Sequence, residues 1–260
     1  MNPRRSTTID TIEVARFDDA QEQWWNPSNP ASPARWLHRY NPLRVGYIRD
    51  AACEQFGRDP REPDCLRGVR ILDIGCGAGV LCEPLAALGA AVVGVDPAGN
   101  SIEMARQHAR QSGLEVDYRA RTSEELAADG ERFDVVLAKE VIEHVADSDA
   151  FLRGCGELVK PGGLLILSTI SRTLKSFAFA IVMGEYVLRL LPPGTHQWSR
   201  FRTPDEIGAA VKRDGLVVAN ARGVTMKVLT RALKFCANTD VAYILTAKKA
   251  GVISSGESPA

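Results

Sequence analysis

From Val69 onward, short apolar runs alternate with stretches of helical pattern. Residues 69–74 (VRILDI) form a brief apolar run that leads into glycines, and 81–88 carry a helical pattern. Residues 91–95 (AVVGV) read as a buried strand that stops at Asp96. Residues 101–111 read as a helix, with Gly113 where a helix stop belongs. After a short strand at 116–118, the runs 133–138 (FDVVLA) and 164–169 (LLILST) have unbroken apolar centres. Between them, 151–159 read as a helix ended by Lys160-Pro161-Gly162-Gly163, and two late strands are expected at 216–219 and 241–247. Strands made almost wholly of Val, Ile and Leu belong to parallel sheets covered by helices on both faces. Alternation at this spacing implies right-handed βαβ units, hence an α/β fold with a doubly wound, mostly parallel sheet.

Two stretches stand outside that rhythm. A single domain over 1–260 is expected: an N-terminal helical extension (1–66), a core (67–171), an apolar helical insertion (172–203), the C-terminal part of the sheet (204–250), and a small polar tail (251–260) expected to be disordered. Within the insertion, LKSFAFAIVMGEYVLRLL (174–191) is dominated by apolar residues but broken by Lys175, Glu185 and Arg189. It is too charged to span a bilayer, for which about 18 uninterrupted apolar residues are needed, and unusually apolar for an exposed insertion. Such a helix can lie in a membrane interface with Arg172, Lys175, Arg189 and Arg200 toward the headgroups, or pack as a lid over a site.

Composition mainly excludes. Hydrophobic residues make up 45% and charged residues 25% of the 260, the balance of a globular protein rather than a disordered, collagenous or polytopic membrane chain. Thirty-two basic residues match thirty-two acidic ones, so nucleic-acid binding is not expected as the main activity. The six cysteines include no CxxC pair, and the N-terminal residues lack a signal-peptide core. A reducing, cytoplasmic setting with free thiols follows as the expectation.

The chemistry concentrates at strand ends. Asp73-Ile-Gly75-Cys-Gly77-Ala-Gly79 follows the first strand and opens a helix, and Asp96 ends the next strand 21 positions after Gly75. Glycines there let the chain turn tightly and a ligand approach the backbone, and a carboxylate at Asp96 can accept both hydroxyls of a ribose. A dinucleotide fingerprint GxGxxG would need a third glycine at position 80, which is Val80; the pattern is GxGxG. Asp73 offers nothing to a pyrophosphate but suits a ligand bearing an amino group or a sulfonium. The plain alternative is a tight turn between any strand and helix; the motif context favours a nucleoside cofactor. Glu140, Glu143 and His144 stand at i, i+3 and i+4, which on a helix share one face beside that crevice. Two carboxylates and an imidazole suit Mg²⁺ or Mn²⁺, with Zn²⁺ open. The plain alternative is helix-start acids that complement the macrodipole.

DIGCGAG, Asp96, FDVVLAKEVIEHV and LVKPGGLLILST together resemble the successive motifs of class I S-adenosylmethionine-dependent methyltransferases. The resemblance implies that the Asp73–Gly79 loop holds the methionine end of the cofactor, that Asp96 holds its ribose, and that Glu124 falls near the adenine. Trp24-Trp25, then LHRYNPLR (37–44), Gly46-Tyr47-Ile48, Gly184-Glu185-Tyr186, Pro193-Gly194-Thr195-His196 and Asp240-Val241-x-Tyr243 narrow it. They resemble the ubiquinone-biosynthesis O-methyltransferases over about 17–248, nearly the whole chain. That resemblance implies a cofactor-carboxylate contact for Arg44, a further cofactor contact at Lys139 where an uncharged residue is common, and a divalent cation, Mg²⁺ first, on Glu140, Glu143 and His144. The implied substrates are polyprenylated phenols and quinols with adjacent ring oxygens, 2-polyprenyl-6-hydroxyphenol and 3-demethylubiquinol. His196 or His38 is a candidate to take the phenolic proton or complete the metal shell, against a packed or surface role; His108 is expected at the surface and Cys76 as a packing residue. A lipid-tailed substrate implies peripheral contact of 172–200 with the inner membrane, and points to partners among other ubiquinone-biosynthesis proteins. One departure is that Gly223-Val-Thr leads into Met226-Lys227-Val228 where the family usually has Tyr-Asn-Pro. The other readings carried forward are a paralogue for another lipid-linked or small aromatic hydroxyl, a non-catalytic membrane-associated scaffold, and a nicotinamide-dependent oxidoreductase. Val80 and the lack of a Tyr-x-x-x-Lys pair disfavour the last.

Overall fold

The computed structural model describes residues 8–10, 14, 24–25, 34–177, 197–226 and 232–251. Eight strands form one sheet in the order β3-β2-β1-β4-β5-β8-β6-β7. They are β1 (Arg70–Ile74), β2 (Ala91–Val95), β3 (Asp117–Arg119), β4 (Phe133–Lys139), β5 (Val159–Ile170), β6 (Leu216–Met226), β7 (Leu233–Cys236) and β8 (Ala242–Lys249). β1 to β5 pair in parallel, β8 runs antiparallel to β5, and β6 and β7 follow antiparallel. The helices longer than one turn among the described residues are α1 (Ala34–Phe56), α2 (Cys82–Ala87), α3 (Gly99–Gln111), α4 (Ser123–Ala128), α5 (Ser148–Leu158) and α6 (Pro204–Lys212).

Two apolar layers sandwich the sheet. On one face Leu72, Val136 and Leu165 pack with Leu126 of α4, Leu152 of α5 and Ile207 of α6. On the other, Ile71, Leu137 and Ile166 pack with Ile48 of α1, Leu85 of α2 and Ile102 of α3. Burial on both faces is the physical reason that the strand sequences show no polar alternation. The strand order reverses at β1, whose neighbours are β2 on one side and β4 on the other. A crevice at the carboxyl ends of those strands is where open α/β sheets bind ligands.

The segment expected to continue as a helix after β4 does not. Residues 142–144 form a turn closed by the His144 amide donating to the Val141 carbonyl at 2.9 Å, and the next helix starts at Ser148. Glu140 has φ +56°, in the left-handed region that breaks a helix, and its amide donates to the Ser168 carbonyl at 3.0 Å, extending the sheet ladder. β5 also starts earlier than its apolar run, at Val159. The apolar insertion lies mostly outside the described residues; among those described, no helix is long and apolar enough to cross a membrane.

Candidate active site

The glycine loop is anchored to the neighbouring strand. The Gly75 and Cys76 amides both donate to the Val95 carbonyl, at 2.8 and 3.1 Å. Gly75 has φ +70°, and a Cβ there would come within 2.6 Å of Val141 Cγ2, so both conformation and space demand glycine. Gly77, at φ +52°, turns its amide to Asp96 Oδ2 at 2.9 Å. Asp96 Oδ1 accepts the Ala98 amide at 2.9 Å, so the carboxylate is held from both sides beside the loop.

Three buried charges converge behind that loop. Asp73 ends β1 at 2% exposure and takes the Cys82 thiol on Oδ2 at 3.2 Å. Burial pushes its carboxyl up to about 6, opposed by Cys82, Arg44 and Lys139 and reinforced by Asp96. Arg44, from α1, is 4% exposed; its guanidinium lies 4.9 Å from the Tyr40 ring centroid and its Nε has no hydrogen-bond partner. Lys139, the last residue of β4, is 6% exposed and its Nζ also lacks a partner. Burial, then Arg44, pushes the Lys139 ammonium down to about 7, while Glu140 and Asp73 act the other way. Unpartnered buried donors are rare in folded proteins, and two of them beside a buried acid leave room for a polar ligand. The residues therefore fit a cofactor that brings both an anion and a cation to the end of β1.

The carboxylates after β4 are held by β5. Ser168 Oγ donates to Glu140 Oε1 at 2.5 Å, and Thr169 Oγ1 donates to Glu143 Oε2 at 2.8 Å. Glu143 is buried, and burial followed by the charge of Glu140 pushes its carboxyl up to about 8. A buried carboxyl facing a second carboxylate takes up a proton or calls for a cation, so this pair fits a divalent ion by its chemistry. His144 follows in the turn and is half-buried. Among the described residues, no three His, Cys, Asp or Glu side chains are gathered into a metal-holding group. The turn in place of a helix is why the i, i+3, i+4 spacing does not bring all three donors together.

Other expected residues fall elsewhere. Glu124 accepts the Thr8 amide at 3.1 Å and the Thr8 hydroxyl, so its carboxylate is engaged by the N-terminal extension. His38 shares a 2.7 Å hydrogen bond with the Trp24 carbonyl. His108 is not a bare surface residue: it bonds Glu83 at 2.7 Å and stacks on Trp25 with ring centroids 3.5 Å apart. Trp25 Nε1 donates to the Ala78 carbonyl at 3.0 Å, and the Trp24 ring lies over Gly77, so the extension covers the glycine loop. Burial pushes the Cys76 thiol up to about 11, which suits a packing residue. His196 lies outside the described residues. Sequence reasoning missed the supporting roles of Ser168 and Thr169; two adjacent hydroxyls at the carboxyl end of an otherwise apolar strand were the available signal.

A family model described as "Methyltransferase domain" matches residues 45–221. The chain is 49% identical to a curated protein named "Ubiquinone biosynthesis O-methyltransferase" from Chelativorans sp. (strain BNC1), across 96% of this chain and 97% of that one. It is 51% identical to a protein of the same name from Azorhizobium caulinodans, across 98% and 100%. Among solved structures, magnesium protoporphyrin IX methyltransferase from Synechocystis with bound S-adenosylmethionine superposes with a TM-score of 0.64 at 18% identity, across 96% and 100% of the two chains. At that identity the likeness is one of fold.

Proposed function

The chain belongs to the ubiquinone biosynthesis O-methyltransferase family, and from that premise we propose which substrates it methylates and which side chains do the work. It is an S-adenosylmethionine-dependent O-methyltransferase of ubiquinone biosynthesis. Identity near one half along almost the entire chain carries this reading.

The substrates are polyprenylated aromatics with adjacent ring oxygens, 2-polyprenyl-6-hydroxyphenol and 3-demethylubiquinol. Asp73 faces the cationic part of the cofactor's methionine end, Arg44 and Lys139 line the same end, the Gly75–Gly77 turn lets the cofactor pass close to the backbone, and Asp96 takes the ribose hydroxyls. The phenol loses its proton, its oxygen attacks the methyl carbon, and the C–S electrons stay on sulfur as S-adenosylhomocysteine leaves. Aligning oxygen, carbon and sulfur accounts for much of the rate, up to roughly 7–11 kcal/mol in favourable intramolecular cases. Ser168 and Thr169 orient Glu140 and Glu143 at the mouth of that reaction. A divalent cation, Mg²⁺ first, held by the Glu140 and Glu143 carboxylates would supply Lewis-acid stabilisation of the phenolate, and His144 would join them only if the turn that carries it moved. His196 is assigned to the phenolic proton. The apolar 172–200 segment rests on the inner membrane from the cytoplasmic side, where the lipid-tailed substrate and other ubiquinone-biosynthesis proteins are encountered.

The test is methyl transfer from S-adenosylmethionine to short-chain analogues of both substrates, with and without EDTA, in wild type and Glu143→Ala. Transfer that EDTA abolishes, and that Glu143→Ala loses while keeping cofactor affinity, is expected. No transfer to either analogue would refute the substrate reading, and full activity of Glu143→Ala in chelator would refute the metal role.

A further inference from the structure

The N-terminal extension takes no part in the chemistry, yet it is fastened to both sides of the cofactor crevice. On one side the Thr8 amide and hydroxyl both donate to Glu124 Oε1, the amide at 3.1 Å, and the Thr8 carbonyl accepts the Ala146 amide at 2.8 Å. Glu124 sits in the first turn of α4, after β3, and Ala146 follows β4. In the sheet order the ends of β2 and β1 stand between those two strands. Two residues on, Asp10 Oδ2 pairs with Arg200 Nη2 at 3.0 Å, and Arg200 closes the short 3₁₀ turn Trp198–Arg200 at the end of the insertion. On the other side the Trp24 ring lies on Gly77, while Trp25 bonds the Ala78 carbonyl and stacks on His108 of α3. α3 packs in one apolar layer and α4 in the other, so the crevice lies between the two attachments.

The Thr8 attachment is strong for its size. Thr8 is 3% exposed. Burial acts to raise the Glu124 carboxyl, but the bond from the Thr8 hydroxyl and further hydrogen bonds hold it below its ordinary value. Glu124 therefore receives Thr8 as an anion, and both bonds to it are charge-assisted. The rest of the hold consists of one ion pair, single hydrogen bonds and ring contacts. No described residue before residue 45 belongs to either apolar layer, so the extension can detach while the core stays packed. A ligand beneath such a cover exchanges only when the cover opens.

We propose that the N-terminal extension is a strap over the cofactor, latched at Thr8–Glu124 and Asp10–Arg200, whose opening admits S-adenosylmethionine and releases S-adenosylhomocysteine; this rests on the cofactor reading above. Entry and exit need the same opening. Weakening the latch therefore speeds both and leaves the equilibrium affinity nearly unchanged.

Surface plasmon resonance with the full chain immobilised reads the association and dissociation rates of S-adenosylhomocysteine for wild type, Thr8→Val, Thr8→Ser and Asp10→Asn. Thr8→Val keeps the shape and removes the hydroxyl donor; loss of one charge-assisted bond predicts both rates about tenfold higher, with Kd within about threefold of wild type. Asp10→Asn weakens a partly buried ion pair and should raise both rates about threefold. Thr8→Ser keeps the hydroxyl and should match wild type. Unchanged rates in both Thr8→Val and Asp10→Asn would overturn the strap. So would a loss of affinity with association no faster, which is what a fixed wall of the site would show. Failure of wild type to bind S-adenosylhomocysteine at all would overturn the cofactor reading itself, and the strap with it.

Discussion

Replacing Asp73 with Asn should move stability and binding in opposite directions. The carboxyl is held at about 6 against 3.8 outside the fold, chiefly by burial. That difference corresponds to about 3 kcal/mol against its charged form. Because the folded value is raised, the unliganded protein keeps its full stability below pH 3.8 and loses it as pH rises through about 6. At pH 5 the loss is about 1.6 kcal/mol, and above pH 7 it reaches about 3 kcal/mol. The asparagine side chain is isosteric and uncharged, so it escapes the whole penalty, less what the thiol bond from Cys82 contributes, about 1 kcal/mol. Unliganded Asp73→Asn should therefore be about 2 kcal/mol more stable than wild type at pH 8, or about 4–8 °C in Tm at 2–4 °C per kcal/mol, with a smaller gap at pH 5. Its affinity for S-adenosylmethionine should fall at least tenfold, since the cationic end of the cofactor loses its counter-charge. Thermal melts at several pH values, with and without cofactor, read both effects. A variant less stable than wild type at pH 8, or one that keeps full cofactor affinity, would refute the claim that this carboxylate is held charged for the ligand's sake.

Gly75→Ala should cost about 1–3 kcal/mol of stability and weaken cofactor binding, because it forces a side chain into the left-handed region and within 2.6 Å of Val141 Cγ2; denaturant titration reads the first and calorimetry the second. An effect below about 0.5 kcal/mol would mean that the loop has room to relax. Wild type should sediment with anionic liposomes and a Phe177→Asp, Ile181→Asp double variant much less; equal sedimentation would count against membrane contact through the insertion.

Much of the sheet was legible because its signal is local. The apolar runs at β1, β2, β4 and β8 match the observed strands to within about two residues, and the doubly wound arrangement followed from their lack of alternation. Two helices carried a readable start signal that the hydrophobic pattern alone hides. Thr122-x-x-Glu125 and Thr203-x-x-Glu206 both form reciprocal capping boxes, the latter with Pro204 in the first turn. β6 runs on to Met226, well past its apolar start, because Asn220, Arg222 and Gly223 pair with β8 and Gly223–Met226 with β7. Such pairing is set by partners distant in sequence, and its outward residues are polar. The turn at 140–144 was hidden for a different reason: the left-handed Glu140 is fixed by the hydrogen bond that its amide donates to the Ser168 carbonyl, a contact across the sheet that no spacing rule contains.

Charge burial was the part of the site least legible in sequence, and it decides how the site works. Arg44, Asp73, Lys139 and Glu143 are all at or below 6% exposure, and none of the four is neutralised by a hydrogen-bonded ion pair among the described residues. Composition counts such residues as solvent-facing, whereas at Asp73, Lys139 and Glu143 the cost of burial outweighs what their neighbours give back. The charges left over differ at the two ends of the crevice. Two orphaned cations and an acid stand at the β1 end, and two facing carboxylates at the β5 end. A zwitterionic cofactor relieves the first, and a cation would relieve the second. Each should stabilise the folded chain by its own mass-action increment, and because Glu140 acts on the adjacent Lys139 the two increments should depart from additivity.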